Sequence, residues 1–227
     1  MRTGRFLWLK RGGAVLRKDL RVEFRTRYAY STLVMFAVTV LVTVSFSVGG
    51  MMLDGDIAAA LLWIILFFAA MAGLSRTFVQ EEESGTVVAL KLAADPEPVY
   101  LGKLLFNIVL LFSLAVLVVP LFLVMLNLSV AMPLSFVQVL ILGCLGLSGA
   151  STILAAIVAK AAAKGALLTV LAFPVLLPLL IGAINATRSA LAGVPADVLR
   201  PDLGLLLFYN GMAVTASLLL FEYVWNE

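Results

Sequence analysis

Three consecutive carboxylates, Glu81, Glu82 and Glu83, stand directly before Ser84, Gly85 and Thr86 in the polar stretch Phe78–Lys103, FVQEEESGTVVALKLAADPEPVYLGK. Carboxylates in a row suit ionic contact with basic side chains of a partner. They equally suit a solvated acidic loop, because a charge run by itself usually faces water. The stretch keeps apolar residues at Val87, Val88, Leu90 and Leu92, which argues for a short helix inside it. Gly85 can end a helix and turn the chain. Pro96 and Pro98 stop further helix, so a new one is expected near Val99. A short helix bounded in this way, lying across a membrane face, is able to seat in a groove on a soluble partner.

Other chemistry is scarce. The 227 residues contain no histidine, which removes the commonest metal ligand, a common heme ligand and His-based acid–base catalysis. The single cysteine, Cys144, excludes an intrachain disulfide and sits in an apolar block, where it reads as a small packing residue. No G-x-x-x-x-G-K-[ST], H-E-x-x-H, paired C-x-x-C or G-x-S-x-G occurs, so the chain has no P-loop and no familiar hydrolytic or metal motif. Met125 and Met132 are able to ligate iron, but apolar packing is the commoner use of methionine. No catalytic, cofactor-binding or metal-ligating residue is assigned, and the reading is that of a non-enzyme.

The elements that must position the acidic stretch are membrane helices. The chain is 63% hydrophobic and 13% charged, against roughly half and a quarter in a soluble domain. Its apolar residues fall in blocks long enough for spans of about 20 residues. Six spans are expected, roughly from Tyr30 to Val48, Ile57 to Leu74, Leu104 to Leu126, Leu134 to Val158, Ala166 to Ile184 and Leu203 to Trp225. Between them lie a Gly49–Gly50 turn, the polar segment 76–103, a turn from Asn127 to Pro133, a break at Lys160 and Lys164, and a polar loop from Asn185 to Asp202. The fold class is therefore all-α: a polytopic membrane protein of six transmembrane helices.

Orientation follows from the cations. With the N-terminus in the cytoplasm, fourteen of the sixteen Lys and Arg fall on that side, and only Arg188 and Arg200 fall opposite. Both termini are expected to be cytoplasmic. Residues 1–29 form their own basic element, with Leu9, Gly13, Leu16, Leu20 and Phe24 at helical spacing and Arg17, Lys18, Arg21 and Arg25 between them. This reads as an amphipathic interfacial helix whose cations meet anionic headgroups, the alternative being a disordered basic tail. The basic region is too long for a cleavable signal peptide, and no A-x-A-like site follows the first apolar run. Tyr30, Tyr209, Tyr223 and Trp225 suit an interfacial belt, whereas Trp63 lies deeper and is expected to pack between helices.

Two spans carry special residues. The fourth holds Gly143, Gly146 and Gly149 among serines and alanines, which lets helix backbones approach closely. Static packing and a moving seam both fit. The fifth holds Pro174 and Pro178, which tend to kink a helix and serve a rigid or a moving bundle alike. No span carries a charge well inside its apolar run, which argues against ion-coupled transport. Energy for any transport then arrives from outside the chain.

Taken together these residues resemble the heme exporter protein B (CcmB) family. The loop Phe78–Lys103 is similar to that family's loop after the second span, with its acidic residues, E-x-G-T, Pro-x-Pro and a G-K leading into an apolar helix. RKDLRVEFRTR resembles its basic arm, Gly143–Ala156 its glycine-rich fourth span, and VLAFPVLLPLLIGA its Pro-containing fifth span. The resemblance implies an ABC-2 type permease, the membrane subunit of the cytochrome c maturation system in the bacterial cytoplasmic (inner) membrane. It implies a transmembrane domain of residues 30–227 whose segment 76–103 acts as coupling helix for a separate ABC ATPase subunit, through Phe78, Glu81, Glu82, Glu83, Gly85, Thr86, Pro96, Pro98 and Lys103. ATP would be used by that partner and heme is the candidate substrate, with no cofactor bound by this chain itself. ATP would drive either heme export or release of a heme-loaded chaperone. Other expected partners are further maturation proteins, lipids and a second copy of the chain, with no nucleic acid. An exporter subunit for a drug, lipid or polysaccharide precursor, and a non-transporting scaffold for heme-handling proteins, are the alternatives.

Overall fold

The computed structural model describes residues 2–50, 53–74, 76–159 and 164–226. Among them are nine helices: α1 (Arg2–Thr26), α2 (Tyr28–Val48), α3 (Gly55–Leu74), α4 (Arg76–Glu83), α5 (Val87–Ala93), α6 (Pro96–Met125), α7 (Pro133–Ala159), α8 (Lys164–Ala192) and α9 (Ala196–Asn226). Six helical stretches are long and apolar enough to cross a bilayer, and the protein is a polytopic all-α membrane protein. Helix is the only open structure that satisfies its own backbone in hydrocarbon, which is why uncharged blocks of this length fold this way. Lys160, expected to break the fourth span from the fifth, lies outside the described residues.

The short connections are built by left-handed residues. Asn127 (φ 50°) ends α6, with the Leu128 N–H donating to the Leu123 carbonyl at 2.9 Å. Gly193 (φ 72°) ends α8, with the Val194 N–H on the Ser189 carbonyl at 3.0 Å. These are six-to-one closures of the Schellman kind. The α8 closure shortens what the sequence suggests. The polar loop expected from Asn185 to Asp202 is instead helix up to Ala192 and again from Ala196. Thr187 and Ser189 within it turn inward, Thr187 accepting from the indole N–H of Trp63 at 2.8 Å, while Arg188, Asp197 and Arg200 stay exposed. Likewise α6 begins at Pro96 rather than near Val99, because proline is well suited to the first helical turn, where no N–H is needed.

Helix α7 is the central element and packs against α3, α4, α6, α8 and α9. Its glycines are not equivalent. A Cβ on Gly143 would run into the Trp63 ring, and one on Gly146 would lie 2.5 Å from the Leu179 side chain, whereas Gly149 faces open space. Pro174 and Pro178 lie inside a continuous α8. Beside them the Tyr209 hydroxyl donates to the Val175 carbonyl at 3.0 Å, a tie that anchors α9 where α8 is weakened.

Helix α1 packs along α6. The contact is a glycine crossing: a Cβ on Gly102 would sit 2.6 Å from Val15 Cβ and 2.8 Å from the Gly12 carbonyl. The face of α1 against the bundle is thus Gly12, Val15 and Asp19, all buried, with Leu16 and Leu20 beside it. Gly13 and Phe24 of the expected apolar face point away, and Leu9 lies outside the described side chains. Glu23 closes the corner into α2, accepting from the N–H of Tyr30 at 2.8 Å. Tyr209 and Trp225, expected at the interfacial belt, are buried, while Tyr223 is exposed.

Candidate functional site

The acidic stretch folds as two short helices joined by a turn. At the end of α4 the Gly85 N–H donates to the Glu82 carbonyl (3.2 Å) and the Thr86 N–H to the Glu81 carbonyl (3.0 Å), with Gly85 at φ 68°. This is a Schellman closure, whose left-handed position at Gly85 favours glycine over a residue with a Cβ. Gly85→Ala is expected to strain the turn by about 1–2 kcal/mol, seen as faster protease cleavage between α4 and α5 in the otherwise folded protein.

The turn holds Glu81 inside rather than outside. Its carboxylate is 2.7 Å from the Lys103 ammonium of α6 and also meets Lys18 of α1 and the Thr86 hydroxyl. Lys103 is only 2% exposed. Its three N–H groups have three acceptors: Glu81 Oε1 at 2.7 Å, the Thr77 carbonyl at 3.0 Å and Asp19 Oδ1 at 3.2 Å. An ammonium has three donors and no acceptor, so the site saturates it. Two cations and two carboxylates from α1, α4 and α6 therefore neutralise one another in a joint whose Asp19, Glu81 and Lys103 are buried and whose Lys18 lies at the exposed edge. Burial of Lys18 works against its charge, but the hydrogen bond to Glu81 and the charges of Asp19 and Glu81 outweigh it and hold its pKa above the usual lysine value.

A neutral ladder continues from the joint into the bundle. The Thr77 hydroxyl lies 2.7 Å from Asn107 Oδ1, and Asn107 Nδ2 donates to the Thr152 hydroxyl at 2.8 Å. Thr152 in turn donates to the Ser148 carbonyl at 2.6 Å. Asn107 and Thr152 are fully buried. In lipid such contacts fix helix against helix, here α4, α6 and α7. Beside the joint, with the Lys103 ammonium 5.8 Å from its ring centre, Phe78 packs on Phe221 (5.6 Å between ring centroids) and Trp225 (6.5 Å) of α9.

The expected coupling residues therefore separate into two groups. Phe78, Glu81, Pro98 and Lys103 are buried. Glu83, Gly85 and Thr86 are exposed, and Glu82 and Pro96 are partly so. Helix α5 has no buried residue; its Val88 and Leu92, one turn apart, are 67% and 86% exposed. Both ends of this unit are tied to α1, by Lys18 and Asp19 at Glu81 and Lys103 and by Arg11, 2.7 Å from Asp95. Of the cations expected at headgroups, Arg17, Arg21 and Arg25 are exposed, whereas Lys18 turns toward the joint. Asp19, Thr77, Asn107 and Thr152 escape the sequence reading. Asn107, an amide inside LLFNIVLL, and Asp19, a carboxylate within a basic run, are the two that stand out by type.

Between α1, α4, α5 and α6 lies a cleft of about 520 Å³ with Lys18, Glu81 and Lys103 in its wall.

The profile of the family described as CcmB protein matches residues 11–222. The chain is 32% identical over 188 residues to heme exporter protein B of Rhodobacter capsulatus, covering 82% of this chain and 86% of that protein. It is 26% identical over 182 residues to heme exporter protein B of Bradyrhizobium diazoefficiens, covering 79% and 82%. With a match across nearly its whole length, including the joint and the α4–α5 turn, the chain belongs to the CcmB family.

Proposed function

We propose that this chain is the membrane subunit of an ABC-type assembly in the bacterial inner membrane that serves cytochrome c maturation. A separate ATPase subunit hydrolyses ATP, and the α4–α5 unit passes its motion to the spans. The work drives heme export or the release of a heme-loaded chaperone. Both termini face the cytoplasm, in keeping with the side on which fourteen of sixteen cations fall.

The observation that carries this reading is the contrast between α5 and its base. Val88 and Leu92 form an exposed apolar edge, while the turn beneath them is locked to α1 and α6 by ion pairs and to α7 by the Thr77–Asn107–Thr152 ladder. A surface free to bind and a base free of play are what transmission of a push requires. A few interface residues carry most of the binding energy, and a carboxylate placed in an apolar contact is left desolvated and unpaired. Val88→Asp combined with Leu92→Asp is expected to abolish copurification of an ATPase and maturation of c-type cytochromes, with membrane levels of the chain unchanged. Normal maturation in that variant would overturn the coupling role. A deletion strain with every c-type cytochrome intact would instead assign the assembly to another substrate.

A further inference from the structure

The cleft between α1, α4, α5 and α6 carries three cations, Lys18, Arg76 and Lys103, and three carboxylates, Asp19, Glu23 and Glu81, but they are unevenly paired. Asp19 and Glu81 in its wall are matched by Lys18 and Lys103. Glu23 is spent on the N–H groups of Ala29 and Tyr30 at the start of α2. Arg76, the first residue of α4, also lines the cleft, and among the described residues it has no carboxylate partner. Its guanidinium lies 4.2 Å above the centre of the Tyr28 ring. This cation–π contact holds the guanidinium on the ring while its N–H groups have no carboxylate among the described residues. Apolar wall is supplied by Val22, Ala29, Leu90 and Phe106.

We infer that this cleft binds the phosphate of an anionic amphiphile, with Arg76 as the phosphate ligand and the apolar wall receiving the start of an acyl chain. A guanidinium is the side chain suited to bidentate phosphate recognition, and the Tyr28 ring supports this one. Basic pockets between membrane helices take lipid headgroups in the same manner. Arg17 and Arg21, exposed on α1 and next in sequence to the lining residues Lys18 and Val22, add positive charge near the cleft, against Glu82 and Glu83 at the end of α4. The phosphate chemistry is shared by two sources, an anionic phospholipid and a soluble phosphate; the apolar wall selects the phospholipid.

The purified full chain, in a neutral detergent, is titrated with phosphatidylglycerol, with phosphatidylcholine, and with inorganic phosphate, while its thermal unfolding is followed. Phosphatidylglycerol is expected to raise the midpoint, phosphatidylcholine less, and inorganic phosphate at the same concentration not at all. Arg76→Gln is expected to weaken the phosphatidylglycerol effect about tenfold in apparent affinity, as for loss of a charge-assisted hydrogen bond. Tyr28→Leu, which keeps every charge, is expected to weaken it in the same direction. Arg200→Gln, an exposed cation on α9, is expected to leave it unchanged. Equal titrations of the Arg76→Gln and unaltered chains would overturn the site, and an equal response to inorganic phosphate would overturn the lipid as its source. If Arg76→Gln does not fold, an unchanged titration of Tyr28→Leu overturns it as well. None of these readouts depends on an ATPase or on cytochromes, so the lipid site stands or falls apart from the transport reading.

Discussion

Lys103→Met is expected to be the most damaging substitution of a single charged residue in the chain, lowering the stability of the purified protein by about 3–5 kcal/mol. Methionine fits the space left by the lysine stem but offers no donor. The carboxylates of Asp19 and Glu81, both buried, would then face each other with only Lys18 at the edge, and the Thr77 carbonyl would lose its donor. Removal of one partner from a buried ion pair leaves an uncompensated charge, which is far costlier than the pair is worth. The same argument gives a rescue. Lys103→Met combined with Asp19→Asn and Glu81→Gln removes the stranded charges and is expected to recover most of the loss. Thermal unfolding in detergent, read for the single and the triple variant, checks both statements. A single variant as stable as the unaltered chain would show that the joint is not closed to water.

The second large effect lies at the centre of the bundle. Gly143→Ala is expected to destabilise by about 3 kcal/mol, the upper end for overpacking, whereas Gly149→Ala, less than two helical turns away, is expected to be nearly silent. The difference has nothing to do with glycine as a helix residue. The added methyl at Gly143 would enter the ring of Trp63, and that ring is fully buried and held by its hydrogen bond to Thr187. It cannot step aside without breaking that bond between α3 and α8. The methyl at Gly149 meets nothing within 4 Å. Expression and unfolding temperature of the two variants, side by side, separate the readings. Equal losses would mean that the small residues act through helix flexibility rather than through the Trp63 contact.

The energetics of the candidate site follow from the sequence distances over which it is assembled. Glu81 and Lys103 are separated by 22 residues, and Asp19 lies 84 residues from Lys103. A four-charge joint assembled over such distances adds little to the stability of any one helix. Its value is specificity: it allows one register of α1 and α4 against α6 and penalises the others. The exposed pair Arg11–Asp95 adds a second, weaker tie of the kind worth at most about 1 kcal/mol, and its role is to keep α1 near the far end of α5.

What the amino-acid sequence determined by itself was everything that depends on runs and breaks. Long uncharged blocks specify spans, because a bilayer admits no other open structure. Gly85 and the Pro-x-Pro at Pro96 and Pro98 specify a short helix between spans, because backbone stereochemistry is local. What only the tertiary structure decided was the direction in which residues face. Glu81, Glu82 and Glu83 are adjacent and chemically alike, yet successive positions on a helix differ by about 100° in direction, so one enters the joint while Glu83 meets solvent. The basic helix shows the same limit. Its apolar spacing points to Leu16, Leu20 and Phe24, but the fit of Gly12 against Gly102 sets the crossing and turns Asp19 inward. Close approach of two backbones is a pairwise property, and no stretch of one helix contains the shape of its neighbour.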